Sequence, residues 1–117
     1  MRYGVPMDEH TAVYAISVAA QMAEMHPQTL RHYDKMGLVV PSRNGKRRLY
    51  SLRDIALARY VAALVKEGVN HEGIKRIIEL NHDLAQVKQE LARVSEKLAI
   101  FQHRERNTTV AVRSNLS

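Results

Sequence analysis

The chain has 117 residues, room for one domain with or without a dimerisation element and too few for most two-domain enzymes. Eighteen Lys and Arg stand against twelve Asp and Glu, and the net charge of +6 points to a polyanionic partner, nucleic acid before an acidic membrane surface. The absence of cysteine excludes disulfides, thiolate metal sites, iron–sulfur clusters and cysteine nucleophiles.

Residues 1–12 are polar and are expected to form a flexible N-terminal arm. They lack the apolar core of a secretory signal, and no run approaches the roughly 18 apolar residues of a membrane span. The expected location is cytoplasmic, and nucleoid-associated if DNA is the partner. Val13-Tyr14-Ala15-Ile16 leans toward a short strand. Ser17 suits a helix N-cap, and Val18, Ala19, Met22 and Ala23 follow at helical spacing, which predicts a short helix to about Glu24. His26-Pro27 interrupts, and Pro27 suits the first turn of a second helix that stops at Gly37. Leu30, Tyr33 and Met36 supply its buried side, while Gln28, Thr29, Arg31 and His32 face outward. Two short helices across a tight turn form a helix-turn-helix, and the second carries donors for phosphates and base edges.

Leu38-Val39-Val40-Pro41 then leads through Ser42-Arg43 into Asn44-Gly45, a strong two-residue hairpin signal because both positions accept positive φ. Lys46-Arg47-Arg48-Leu49-Tyr50 returns. An arginine-tipped hairpin beside a helix-turn-helix reads as a wing that tracks a sugar-phosphate backbone or reaches a minor groove. Ser51 is placed to cap a third helix, with Asp54 at the reciprocal capping-box position. That helix is expected to run to Glu67 and end at Gly68, with Ile55, Val61, Leu64 and Val65 toward the core. Asn70 caps a fourth helix, about His71 to Leu80, with Ile74, Ile77 and Ile78 inward.

The clearest periodicity comes last. Ile77, Leu80, Leu84, Val87, Leu91, Val94, Leu98 and Phe101 are spaced alternately three and four apart. This is an a/d heptad seam along about 37 Å of helix. A narrow apolar seam on a polar helix needs a partner, most simply the same helix of a second copy, so a homodimeric coiled coil is expected. Leu80, Leu84, Val87, Leu91, Val94, Leu98 and Phe101 are the expected dimer interface. Residues 107–117 form a short β-prone tail in which Val110-Ala111-Val112-Arg113 is an extended apolar run.

The charge is concentrated. Between residues 26 and 60 lie Arg31, Lys35, Arg43, Lys46, Arg47, Arg48, Arg53 and Arg59 against Asp34 and Asp54, eight bases less two acids. That window carries the whole +6, and the rest of the chain nets zero. The resulting architecture is mainly α. An arm (1–12) precedes a winged helix-turn-helix domain (13–81), a coiled-coil helix (82–106) and a tail (107–117).

This order of elements, with Ile16-Ser17-Val18-Ala19-Ala20, Gln28-Thr29-Leu30-Arg31-His32-Tyr33-Asp34, Gly37-Leu38-Val39 with Pro41, Arg47-Arg48-Leu49-Tyr50-Ser51 with Asp54-Ile55, and Gly68-Val69-Asn70 leading to Gly73-Ile74-Lys75, resembles the MerR family of transcriptional regulators over about residues 13–103. Within it, Ala19-Ala20-Gln21, the run 26–31 and the run 68–80 look like the heat-shock repressor branch. The resemblance implies repression of chaperone genes from an inverted-repeat operator, with the chaperone DnaK as co-repressor.

The candidate DNA-binding residues are His26, Gln28, Thr29, Arg31 and His32 on the second helix and Arg43, Lys46, Arg47, Arg48 and Tyr50 on the wing. Ser17 joins them if its helix N-terminus meets a phosphate. Tyr33 joins because the family places a tyrosine there against the DNA backbone, although its spacing also suits the core. Arg31 suits either guanine O6/N7 or a phosphate. The six histidines form no i, i+4 pair, and neither a nucleophile–base pair nor a Gly-rich phosphate loop is present. No metal, cofactor or enzymatic activity is expected. A MerR-type activator or sensor of another stress or ligand, and a coiled-coil adaptor that binds RNA or acidic protein, stay open as alternatives.

Overall fold

The structure is a computed structural model that describes residues 8–116, with side chains described for residues 8–107. The chain divides into two units, one up to Arg76 and one from Ile77. The first contains β1 (Tyr14–Ala15), α1 (Ile16–Met22), α2 (Pro27–Lys35), β2 (Ser42–Asn44), β3 (Arg47–Tyr50) and α3 (Leu52–Lys66). Helix α4 (His71–Leu116) begins in the first unit and makes up the second. The fold is mainly α, with one small antiparallel sheet in the order β1-β3-β2.

The sheet sets the start of α1. Tyr14 pairs with Tyr50 and Ala15 with Leu49. Pairing holds Ala15 extended at φ −65° and ψ 159°, so Ala15 is the N-cap and gives no side-chain hydrogen bond. Ser17, expected at the cap, is instead the second residue of α1 and is exposed.

All three helices of the first unit end alike. Met25 N–H bonds to the Ala20 carbonyl and Glu24 N–H to that of Gln21. Leu38 bonds to Tyr33 with Gly37 to Asp34, and Val69 to Leu64 with Gly68 to Val65. Each is a Schellman motif, which needs a left-handed residue just past the helix. Gly37 (φ +73°) and Gly68 (φ +88°) meet that need freely, but after α1 the residue is Glu24 at φ +58°. A non-glycine residue there is strained by roughly 1–2 kcal/mol.

Residues 8–12, part of the expected flexible arm, and Val13 after them are tied to the domain. Arg53 N–H in the first turn of α3 donates to the Glu9 carbonyl (3.0 Å), and Val13 N–H donates to the Tyr50 carbonyl (3.2 Å). Residues 1–7 of that arm lie outside the described residues.

Helix α3 starts from the expected capping box. The Ser51 hydroxyl accepts from Asp54 N–H (3.0 Å) and the Asp54 carboxylate accepts from Ser51 N–H (2.9 Å). Its buried stripe is Ile55, Ala58, Val61 and Leu64, at a spacing of three. Val65, one step off that stripe, stands half-exposed rather than in the core. The largest fully buried side chains are Tyr50, Leu30, Ile74, Val39 and Val61. Ala19, Ala20 and Ala58, each 0% exposed, let the backbones around them approach closely.

The Asn70 side chain caps α4 by accepting from Gly73 N–H (2.8 Å). His71 Nε2 lies 3.1 Å from the Met36 carbonyl at the end of α2. The expected fourth helix and seam helix are one, because nothing beyond Gly73 is glycine or proline and no cap interrupts the ladder. The helical backbone also continues to Leu116. Residues 107–116 are therefore not the separate β-prone segment expected, and Val110-Ala111-Val112-Arg113 is not extended.

Candidate nucleic-acid interface

The turn before α2 presents its first side chains. His26 is the N-cap, and its Nδ1 accepts from Gln28 N–H at 2.9 Å. Accepting at Nδ1 leaves Nε2 as the donor of the neutral ring. Pro27 fills the first helical position, where no N–H is required. Leu30 and Tyr33 are buried, which anchors one side of α2.

The opposite side is an open hollow of about 430 Å³ lined by His26, Gln28, Thr29, Arg31, His32 and Lys35. Positions 28, 31, 32 and 35 share a face by helical periodicity. No lining residue is acidic. Arg31 Nη1 donates to Gln28 Oε1 at 3.0 Å, which aims two side chains suited to base edges together. Lys35 was absent from the sequence-derived set, although its place seven residues after Gln28 signals the same face.

The hairpin turns one residue later than expected. Asn44 pairs with Arg47 as the last residue of β2, so the two-residue loop is Gly45-Lys46. Gly45 has φ +64° and Lys46 is not in the positive-φ region. Glycine first with an ordinary second residue is the pattern of a type II′ turn, whereas Asn-Gly in both loop positions would have given type I′. Lys46 and Arg47 are exposed at this tip.

Arg43 and Arg48 point elsewhere. Arg43 Nη2 and Arg48 Nε both donate to Asp34 Oδ2, at 2.9 and 2.8 Å. Asp34 belongs to α2, and sequence reasoning gave it no role. An acid inside a strongly basic window was the available signal.

Two aromatic candidates are buried. Tyr50 is 0% exposed and its hydroxyl has no hydrogen-bond partner. It precedes the Ser51 cap, and Ile55 occupies the fourth helical position, the two places at which a hydrophobic staple forms; both are buried. Tyr33 is 5% exposed. Burial pushes the pKa of both phenols above the ordinary 10.0, and for Tyr50 the nearby Asp34 charge pushes the same way. Ser17 remains exposed but does not lead its helix.

In the second unit the seam side chains Leu80, Leu84, Val87, Leu91, Val94, Leu98 and Phe101 are 48–63% exposed. Such a row of apolar groups on a single helix marks a surface that associates.

Comparison with known proteins settles the family. The family model of MerR HTH family regulatory proteins matches residues 14–81. The chain belongs to the MerR family. The heat shock protein HspR of Streptomyces coelicolor is 51% identical over 94 residues, 79% of this chain and 62% of that protein. The chain thus spans less than two thirds of that relative's length. The transcriptional regulator GlnR of Bacillus anthracis is 27% identical over 88 residues, 72% of this chain and 68% of that protein. Among solved structures, a transcription regulator of Ralstonia metallidurans in complex with lead(II) matches with a TM-score of 0.54 at 19% identity, over 83% of each chain. That likeness shows a shared fold. No helix among the described residues is long and apolar enough to cross a membrane.

Proposed function

We propose that this MerR-family chain is a sequence-specific DNA-binding repressor of heat-shock chaperone genes, acting as a homodimer on an inverted repeat with DnaK as co-repressor. The observation that carries DNA binding is the acid-free face of α2 with Arg31 braced on Gln28, beside a hairpin tip bearing Lys46 and Arg47. Gln28, Thr29, Arg31 and His32 read the major groove, and the hairpin follows the backbone. The heat-shock assignment rests on the identity to HspR.

The exposed seam supports the dimer, and its flanking charges favour one orientation. With Leu84, Leu91 and Leu98 at a and Val87, Val94 and Phe101 at d, the g positions are Asp83, Glu90, Lys97 and Arg104. In an antiparallel pair, g faces g of the other helix. Packing Leu91 against Val94 of the partner subunit then sets Glu90 opposite Lys97 and Asp83 opposite Arg104, all attractive. A shift of one heptad either way sets Glu90 against Glu90 or Lys97 against Lys97. In a parallel pair only Asp83 and Lys88 are matched, because Glu90 meets Ser95 and Lys97 meets Gln102. The pattern selects the antiparallel register.

Footprinting on the DNA upstream of this gene and of chaperone genes, with and without DnaK, tests the reading. Two protected half-sites one helical turn or a multiple apart, roughly 34–36 Å for one turn, are expected, with tighter binding when DnaK is added. Protection of a single half-site refutes the dimeric repressor. Protection indifferent to DnaK removes the co-repressor and leaves a MerR-type regulator with another signal.

A further inference from the structure

The hairpin contains an electrostatic conflict. Arg43 and Arg48 are direct cross-strand partners in the β2–β3 register. Like charges so placed repel and loosen a two-stranded ribbon. Relief comes from outside the hairpin, where one oxygen of Asp34 on α2 accepts from both guanidinium groups at 2.9 and 2.8 Å. The Asp34 side chain is 9% exposed, against 23% for Arg48 and 48% for Arg43. Charge-assisted bonds shielded from water in this way are strong and directional, and a buried carboxylate that lost them would be left uncompensated.

Other details converge on the cluster. Tyr50 stands two residues after Arg48, on the same face of β3, and is fully buried without a hydrogen-bond partner, so the cluster borders the core at the root of the hairpin. Between Asp34 and β2 the chain is pinned by buried Leu38, Val39 and Pro41, but these lie before the hairpin and do not fix the direction of its tip.

We propose that Asp34 is a positioning residue that locks the hairpin to α2, so that Lys46 and Arg47 meet the backbone in fixed register with Gln28 and Arg31 in the groove. The role rests on the DNA-binding reading above. Arg48 is the inner half of the lock. Arg43, half-exposed, is the outer half and keeps donors for solvent or phosphate.

The proposal reverses the sign that simple electrostatics gives. An acid on a DNA-reading helix repels phosphate, so deleting a merely repulsive Asp34 strengthens binding to every duplex. Deleting a lock weakens binding to the preferred duplex and leaves unrelated duplexes bound as well or better.

The test uses the full chain, the duplex that it selects from a random-sequence pool, and an unrelated mixed-sequence duplex at the same salt. Asp34→Asn is expected to lower the ratio of selected to unrelated affinity by about tenfold or more, the effect of losing a hydrogen bond to a charged group. Asp34→Glu restores part of the ratio. Arg48→Lys keeps the charge but loses the Nε donor, so it lowers the ratio as well. Asp34→Asn combined with Arg48→Lys is no worse than the more damaging single change.

A readout without DNA accompanies these. The Arg48 Nε–H resonance is slowly exchanging in the parent chain and exchanges fast in Asp34→Asn. The proposal is overturned if Asp34→Asn binds the selected duplex as tightly as the parent, if the two changes add, or if the Arg48 resonance is unaffected. Should Asp34→Asn fold poorly, Arg48→Lys decides alone, because a plain phosphate contact leaves its ratio unchanged. If the parent chain selects no duplex, the DNA-binding reading fails, and the resonance still tests the lock.

Discussion

Reversing one charge in the proposed antiparallel seam is expected to weaken the dimer, and reversing its partner as well is expected to restore it. In that register Glu90 would face Lys97 of the partner subunit, and the two-fold axis would repeat the contact. Glu90→Lys therefore turns two attractive pairs into two repulsive ones. The Glu90 side chain is 58% exposed in the single chain, so each pair acts through water. Flanking pairs of this kind contribute about 0.3–0.5 kcal/mol when attractive and cost a similar amount when like-charged. Two losses and two repulsions total about 1–2 kcal/mol, or about 5–30-fold in the dimer dissociation constant. Glu90 also pairs with Arg93 in its own helix, which adds a small intrahelical loss to Glu90→Lys. Lys97→Glu has the opposite side effect, since it places an acid four residues after Arg93. The double variant therefore recovers both the interchain pairs and most of the helix. Sedimentation equilibrium at about 0.1 M and about 1 M salt measures the constants, and the differences shrink as the Debye length falls from about 10 to about 3 Å. A double variant no tighter than the weaker single one refutes the register. Single variants indistinguishable from the parent indicate a parallel pair, in which Ser95 and Gln102 are the facing residues.

Arg31→Ala is expected to cost about 1–3 kcal/mol of specific binding while leaving Gln28 free to reorient, and operator affinity unchanged at constant salt rules out direct contact. Glu24→Gly relieves the left-handed strain at φ +58° at the expense of an exposed ion pair with Arg59, so thermal melting is expected to rise by a few degrees; a fall shows that the pair outweighs the strain. Tyr50→Phe removes a buried hydroxyl without a partner and is expected to stabilise the fold by about 1 kcal/mol without loss of DNA binding, as read by chemical denaturation. The same variant tests the pH dependence. Above pH 10 the unfolded chain ionises its phenols while Tyr33 and Tyr50, both raised, stay neutral in the fold, so stability falls as pH rises past 10.0. Tyr50→Phe removes one of these two contributions, and its alkaline unfolding midpoint should move to higher pH.

Features encoded within a few residues were legible in the sequence. The Ser51–Asp54 box, the Asn70 cap, Pro27 opening α2 and the seam all depend on neighbours one to four positions apart. What was missed depends on distant partners. Ser17 looks like a cap until β1 pairs with β3 and fixes Ala15 instead. Asn44-Gly45 looks like the loop until the register Asn44–Arg47 moves it one residue on. Tyr50 lies between a basic run and a cap, and only pairing with Tyr14 over the core shows that it faces inward. Arg43 and Arg48 read as backbone contacts alone, and their bonds to Asp34, nine and fourteen residues away, show only in the fold.

The basic window owes its outward charge to where its acids point. Asp54 is spent on the cap of α3, and Asp34 is turned inward between Arg43 and Arg48. Glu24, from outside the window, pairs with Arg59. Arg31, Lys35, Lys46 and Arg47 then stand without an acidic partner among the described residues. The outward face of α2 and the hairpin tip therefore present cations alone, although one in five of the charged residues between 26 and 60 is an acid. The same inward turn that hides the negative charge of Asp34 also fixes the hairpin. Charge presentation and wing geometry thus follow from one side chain, and changes at Asp34 should alter both together, whereas changes at Lys46 or Arg47 should alter only the strength of binding.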